Sequence, residues 1–173
     1  GEHYDLNRVP VIKKQAISAY DPRVIEVTGI SMMLTAQGAD HTAGNLFNIE
    51  TKDKSTQELT DASMEVQALC GAADSLGLCV FGRSVTNINQ DLIINALNDA
   101  LGTELDESFY LQLGQETLEM ETAFNEAAGF SEGDDELPEF FYSESLPPMD
   151  KTARHHATEI NQYRRDWLRA RSN

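Results

Sequence analysis

Asp74-Ser75-Leu76-Gly77-Leu78-Cys79 places an acid, a glycine and a cysteine within six positions. A carboxylate such as Asp74 accepts paired hydrogen bonds from the edge of a guanidine-like ligand. Gly77 removes the side chain that would block a flat molecule. Cys79, as a thiolate, is a ligand for a soft metal. The same residues also fit a plainer reading. They can be a helix C-terminus followed by a buried apolar strip, with Cys79 as a small hydrophobe.

His41 is the second candidate. It sits in Gly38-Ala39-Asp40-His41-Thr42-Ala43-Gly44, a polar loop between glycines, where an imidazole can approach a ligand closely. A solvated loop histidine is the alternative. Cys70 falls on an apolar helical stripe and reads as a core residue. Two cysteines are too few for a disulfide scaffold, and together they cannot complete a four-ligand zinc or iron–sulfur site. His155 and His156 are adjacent, so they cannot share one helix face as a metal pair. Glu132, Asp134, Asp135 and Glu136 lack the spacing of an EF-hand loop and read as a solvated acidic turn.

The elements that must position these residues read as helices. Asp21 can cap a helix with Pro22 at its first position, and Val24, Val27, Ile30 and Leu34 follow at helical spacing. Residues 38–55 are loop. A second helix begins near Thr56, carries Leu59, Ala62, Val66, Leu69 and Ala73, and ends at Gly77. A third covers Gln90 to Leu101, with Ile93, Ala96, Leu97, Ala100 and Leu101 as its stripe and Gly102 as its stop. A fourth starts near Asp106 and shows Phe109, Leu113, Met120, Phe124 and Ala127 on one face. Residues 131–150 are acidic and broken by Pro138, Pro147 and Pro148, so they should wander over the surface. A last helix covers about Thr152 to Ala170, with Ile160, Tyr163 and Trp167 on one side. No segment alternates with period two. The expected fold is all-α, one multihelical domain of about five main helices with long connecting loops.

Composition narrows the function classes. The 173 residues carry 13 Lys and Arg against 29 Asp and Glu, a net charge of −16. Such a field repels phosphate backbones, which argues against nucleic acid. The charge is uneven: the first 150 residues sum to −20 and residues 151–173 to +4. The basic tail should therefore dock on an acidic surface, its own or a partner's. No apolar run approaches the ~20 residues of a membrane span. Gly1-Glu2-His3-Tyr4-Asp5 is not a signal peptide, and the first residue is not Met. A reduced, cytoplasmic setting is the default.

The segment from Asp74 to Phe81 resembles the second Asp-x-x-Gly-Leu-Cys motif of the aldehyde:ferredoxin oxidoreductases, tungsten- or molybdenum-pterin enzymes. Tyr20-Asp21-Pro22-Arg23, Gly38-Ala39-Asp40-His41, Asn95-Ala96-Leu97, Ala123-Phe124-Asn125, Gly129-Phe130 and Asp134-Asp135-Glu136-Leu137-Pro138 follow the family's order. The resemblance implies the C-terminal helical domain of a longer three-domain enzyme, whose upstream domains are missing here. It implies a tungsten or molybdenum bis-pterin and a 4Fe-4S cluster in the full-length protein, with Cys79 as the fourth cluster ligand. Asp74, with the backbone near Gly77 and Leu78, would hold a pterin edge. His41 would lie near the metal and position substrate or move a proton. The implied reaction oxidises an aldehyde to a carboxylic acid with ferredoxin as electron acceptor. Some relatives reduce aromatic-ring thioesters instead, and nothing in this chain separates the two. Basic residues common in the family are replaced by Ala43, Ala127 and Phe140, positions that bear on substrate class. With one usable cluster cysteine, the chain alone should be colourless and inactive. A reading of another class is a free-standing acidic helical interaction module without redox activity.

Overall fold

A computed structural model describes His3, Leu6 and residues 8–171. The opening stretch considered for a signal peptide lies, His3 apart, outside the described residues. The fold is mostly helical. A two-stranded hairpin, β1 (Val11–Ile12) and β2 (Gln15–Ala16), is followed by α1 (Glu26–Leu34), α2 (Thr56–Ser75), α3 (Arg83–Thr86), α4 (Gln90–Leu101), α5 (Phe109–Ala127), α6 (Phe140–Ser143) and α7 (Ala157–Arg169). No helix among the described residues is long and apolar enough to cross a membrane.

Helix α1 is buried at every position and forms the axis of the core. Val27, Ile30 and Met33 meet Leu59, Met64 and Ala68 of α2 and Ile160 and Trp167 of α7. The capping box that starts α2 is complete: Ser55 Oγ accepts from Glu58 N, and the Glu58 carboxylate accepts from Ser55 N. At its other end, Leu78 N bonds Ala73 O at 2.8 Å and Gly77 N bonds Asp74 O at 3.0 Å. With Gly77 at φ +69°, this is a Schellman stop. A smaller cluster of Ala72, Ile94 and Tyr110 ties α4 and α5 to the far end of α2.

Several expectations need correction. The Asp21 carboxylate is engaged by Arg23, accepting from its backbone N and its guanidinium, so 21–25 is a turn and α1 starts at Glu26. The expected α5 face holds at Phe109 and Leu113, which pack on the core, but not beyond. Met120 and Phe124 are exposed, whereas Tyr110, Gly114 and Gln115 are buried against α2. In α4 only Ile94 is buried; Leu101 and Leu92 face outward. The strip after Gly77 is not buried either, and Phe81 is 92% exposed.

Residues 131–150 do not wander. Asp135, Leu137 and Phe141 are buried. Glu136 reaches the start of α7, where its Oε2 accepts from Ala157 N at 2.9 Å. Residues 152–156 are extended rather than helical, because Ala153 N bonds Phe141 O and the next two side chains turn inward to Glu26. The basic tail docks on the chain's own acids: Arg154 pairs with Glu26, Arg165 with Glu132 and Arg171 with Glu65.

Candidate functional site

The loop after α1 and the end of α2 meet. Gly44 sits so close that an added Cβ would lie 2.8 Å from both Gln67 Cγ and Ser31 Oγ. Beneath it runs a buried hydrogen-bond chain. Ser31 Oγ contacts Gly44 O at 2.8 Å and Ser63 Oγ at 2.7 Å, and Gln67 Nε2 donates to Ser63 Oγ at 3.0 Å. Upstream in the loop, the Asp40 carboxylate accepts from Thr42 N at 2.9 Å, Ala43 N at 3.1 Å and the Thr42 hydroxyl. Loop residues 40–44 are thus fixed against α1 and α2.

This arrangement builds a small cleft of about 100 Å³. Asp40 and Thr42 line it from the loop, Gln67, Cys70 and Asp74 from α2, and Glu121 from α5. Its ionisable groups disturb one another. Burial pushes the Asp74 carboxyl up, and the Asp40 charge adds to this. Burial pushes Glu121 up as well, with Asp74 adding to it. Burial also raises the Cys70 thiol, partly offset by Arg83, whose Nη1 lies 3.6 Å from the sulfur. Arg83 Nη2 donates to Asn45 O at 3.3 Å, so one guanidinium spans from α2 to the loop. Acceptor-rich walls whose charged forms are disfavoured suit a ligand edge that presents several N–H donors.

The candidate residues are distributed as follows. Asp74 lies in the last turn of α2 and enters the cleft. An acid at a helix C-terminus opposes the macrodipole, so it contributes nothing favourable there. Gly77 is left-handed, and a Cβ at it would meet no protein atom within 4 Å. Glycine is needed here for backbone conformation, not for room inside the chain. Leu78 is half-buried. Cys79 is exposed, a free thiol just beyond the Schellman turn. His41 does not line the cleft that its neighbours Asp40 and Thr42 line. Its Nδ1 is 2.9 Å from Ser18 Oγ, and its ring packs against Tyr20 at 4.9 Å between centroids. Sequence reasoning missed Gln67 and Glu121. Gln67 carried no signal, and Glu121 arrives only through the packing of α5 on α2.

The residues fit the implied cofactors in a limited sense. Asp74 offers a polarised acceptor at the mouth of a cleft sized for a ring edge. Cys79 offers one accessible sulfur. No group of three or more metal-ligating side chains occurs among the described residues, so Cys79 fits as one ligand of a cluster otherwise held elsewhere. Beside it, Phe81, Val85, Ile88 and Leu92 expose an apolar surface of a kind that usually marks an interface.

The family described as aldehyde ferredoxin oxidoreductase, domains 2 & 3, matches residues 3–172. The tungsten-containing aldehyde ferredoxin oxidoreductase of Pyrococcus furiosus is 29% identical over 145 residues, which cover 79% of this chain and 24% of that protein. Those of Pyrococcus horikoshii and Thermococcus kodakarensis are each 28% identical over the same shares. The chain thus spans about a quarter of the length of these curated relatives.

Proposed function

The chain belongs to the aldehyde ferredoxin oxidoreductase family, and from that premise we propose that it is the C-terminal helical domain of a longer cytoplasmic oxidoreductase that converts aldehydes to carboxylic acids. The observation that carries this reading is the meeting of the fixed 40–44 loop with Asp74, in the last turn of α2, across one acidic cleft. When bound, the tungsten- or molybdenum-pterin group would supply the two-electron oxidation of aldehyde and water, and a 4Fe-4S cluster held in part by Cys79 would supply the electron path to ferredoxin.

The chain's own part is binding and positioning. Asp74 accepts N–H donors from the pterin edge, and burial and the Asp40 charge make its carboxylate more basic and so a stronger acceptor. The Schellman turn brings Cys79 to the surface, where it is the fourth cluster ligand. Ser18 Oγ lies 2.9 Å from His41 Nδ1 and 3.4 Å from Ala39 O; when the hydroxyl donates to Ala39 O, it accepts from His41 Nδ1–H. That tautomer leaves the His41 Nε2 lone pair available to orient substrate or take a proton. The exposed Phe81–Leu92 surface is where the upstream domains rest.

The test uses the intact protein that carries this chain. Purified, it should contain tungsten or molybdenum, pterin and about four irons, and should reduce ferredoxin when given an aldehyde. Cys79→Ser should remove the cluster's electron paramagnetic resonance signal while helix content is kept. An intact protein free of metal and pterin, with no aldehyde-dependent electron transfer, would sink the proposal and leave the interaction module.

A further inference from the structure

A second cavity, of about 230 Å³, shares no lining residue with the acidic cleft. The chain between them is thin: Thr35 and Gln37 line the cleft, while Leu34 and Ala36 line the cavity. Two cations enter it. Lys13 comes from the β1–β2 turn, where Lys13 and Lys14 both have positive φ, at 47° and 64°. This conformation is costly for a residue with a side chain. It is held because Lys13 Nζ pairs with Asp135 and donates to Met33 O. Lys13 is therefore occupied.

Arg164, from α7, is not. Alone among the arginines of the described residues, it makes no hydrogen bond or ion pair, and its Nε is buried without a partner. Burial works against its charge, and Asp135 and Glu126 support it only from a distance. A guanidinium stays protonated, so the unmet Nε–H persists. Leaving a buried donor unpaired costs free energy, and the same guanidinium lines the cavity, where it can take an acceptor.

We propose that this cavity binds a small carboxylate, with Arg164 as its anchor. The flat guanidinium fork matches a carboxylate through two parallel hydrogen bonds. Leu34, Ala36 and Phe130 supply apolar walls for a short hydrocarbon tail. The acids Glu126, Glu132 and Asp135 also line the cavity, Asp135 paired with Lys13 and Glu132 with Arg165, and they favour a monoanion over phosphate or sulfate. The site is independent of the pterin and cluster assignment, because it shares no lining residue with the cleft.

The experiment is a calorimetric titration of the intact protein containing this chain with butyrate, at fixed ionic strength, with phosphate as the competing probe. Saturable butyrate binding is expected, weakened at least ~10-fold in Arg164→Gln, which loses the charge-assisted paired hydrogen bonds. Arg164→Lys keeps the charge, loses the fork and should fall between the two. Mass spectrometry of phenylglyoxal-treated wild-type protein supplies a readout that needs no variant to fold: butyrate should slow modification at Arg164. Non-saturable binding, equal affinity in wild type and Arg164→Gln, no protection of Arg164, or tighter binding of phosphate would each overturn the site.

Discussion

Gly114 of α5 lies directly on the backbone of Ala68 in α2; a Cβ on Gly114 would fall 1.9 Å from the Ala68 carbonyl oxygen. The two helices pack at this closeness only because no side chain intervenes. Gly71, one turn further along α2, faces the same helix but has ordinary room, with Thr117 carbons at 3.6 Å from a built Cβ.

These two glycines should therefore respond in opposite ways to alanine. Gly114→Ala must push α5 off α2 and should destabilise by ~3 kcal/mol or more, lowering the melting temperature sharply. Gly71→Ala should be neutral or stabilising by up to ~1 kcal/mol, through helix propensity. Thermal melts followed by circular dichroism compare them. Equal effects would mean that the crossing is not where the structure has it.

The same contact explains what the sequence could and could not tell. Helix ends were legible where backbone chemistry is local: Gly77 and Gly102 stop α2 and α4 at the expected places, both left-handed. The face of α5 was legible only in its first half: Phe109 and Leu113 pack on the core as their spacing predicts, but further along Gly114, Gln115 and Asn125 make close contacts that apolar spacing ignores. Phe124 and Met120 completed a convincing stripe that faces outward instead. The 131–150 segment misled for a related reason. Its acids looked solvated, yet Asp135 is consumed by buried Lys13 and Asn161, and Glu136 by the start of α7. In the cleft, Asp74 and the Asp40–His41 loop could be singled out by residue type. That Asp40 would enter the cleft with Asp74 while His41 turned to Ser18 depends on tertiary packing.

Glu26 ties α1 to the tail and sets an acid limit on stability. Burial pushes its carboxyl up. Hydrogen bonds from His155, Thr51 and Arg154, with the Arg154 charge, outweigh this and hold it below the ordinary 4.5. A carboxyl depressed in the folded state stabilises above its unfolded value and loses that contribution as pH falls below it. Wild type should therefore lose stability as the pH drops below about 4.5. Glu26→Gln should cost ~3 kcal/mol at pH 7 and show a smaller deficit at pH 3.5. Denaturant midpoints at the two pH values check this, and a constant deficit would count against the pairing.

Asp74 has the opposite sign. Its carboxyl is raised by burial and by Asp40, so ionisation opposes folding. The penalty is absent below the unfolded value of 3.8, grows as pH rises through the folded value, and is complete above it. Asp74→Asn should thus raise the melting temperature of the 173-residue chain slightly at pH 7 and have no such effect near pH 3. In the intact protein, the same change should reduce bound pterin. A gain in stability coupled to a loss of cofactor is the signature of a residue kept for binding. A melting temperature that falls at pH 7 would remove the like-charge argument.

The two thiols should separate cleanly in the isolated chain. Cys79 is exposed, whereas Cys70 is 5% exposed and its thiol is raised by burial. A thiolate is the reactive form, and access is a second requirement. Ellman's reagent should titrate about one thiol under native conditions and the second only in denaturant. Cys79→Ala should abolish the native reaction at no cost in stability; Cys70→Ala should leave it intact. The same chain, offered iron and sulfide under reducing conditions, should remain colourless, because one accessible sulfur cannot replace the four cysteine ligands such a cluster requires. An absorbance shoulder near ~400 nm with about four irons per chain would contradict that reasoning and assign the whole cluster to this domain.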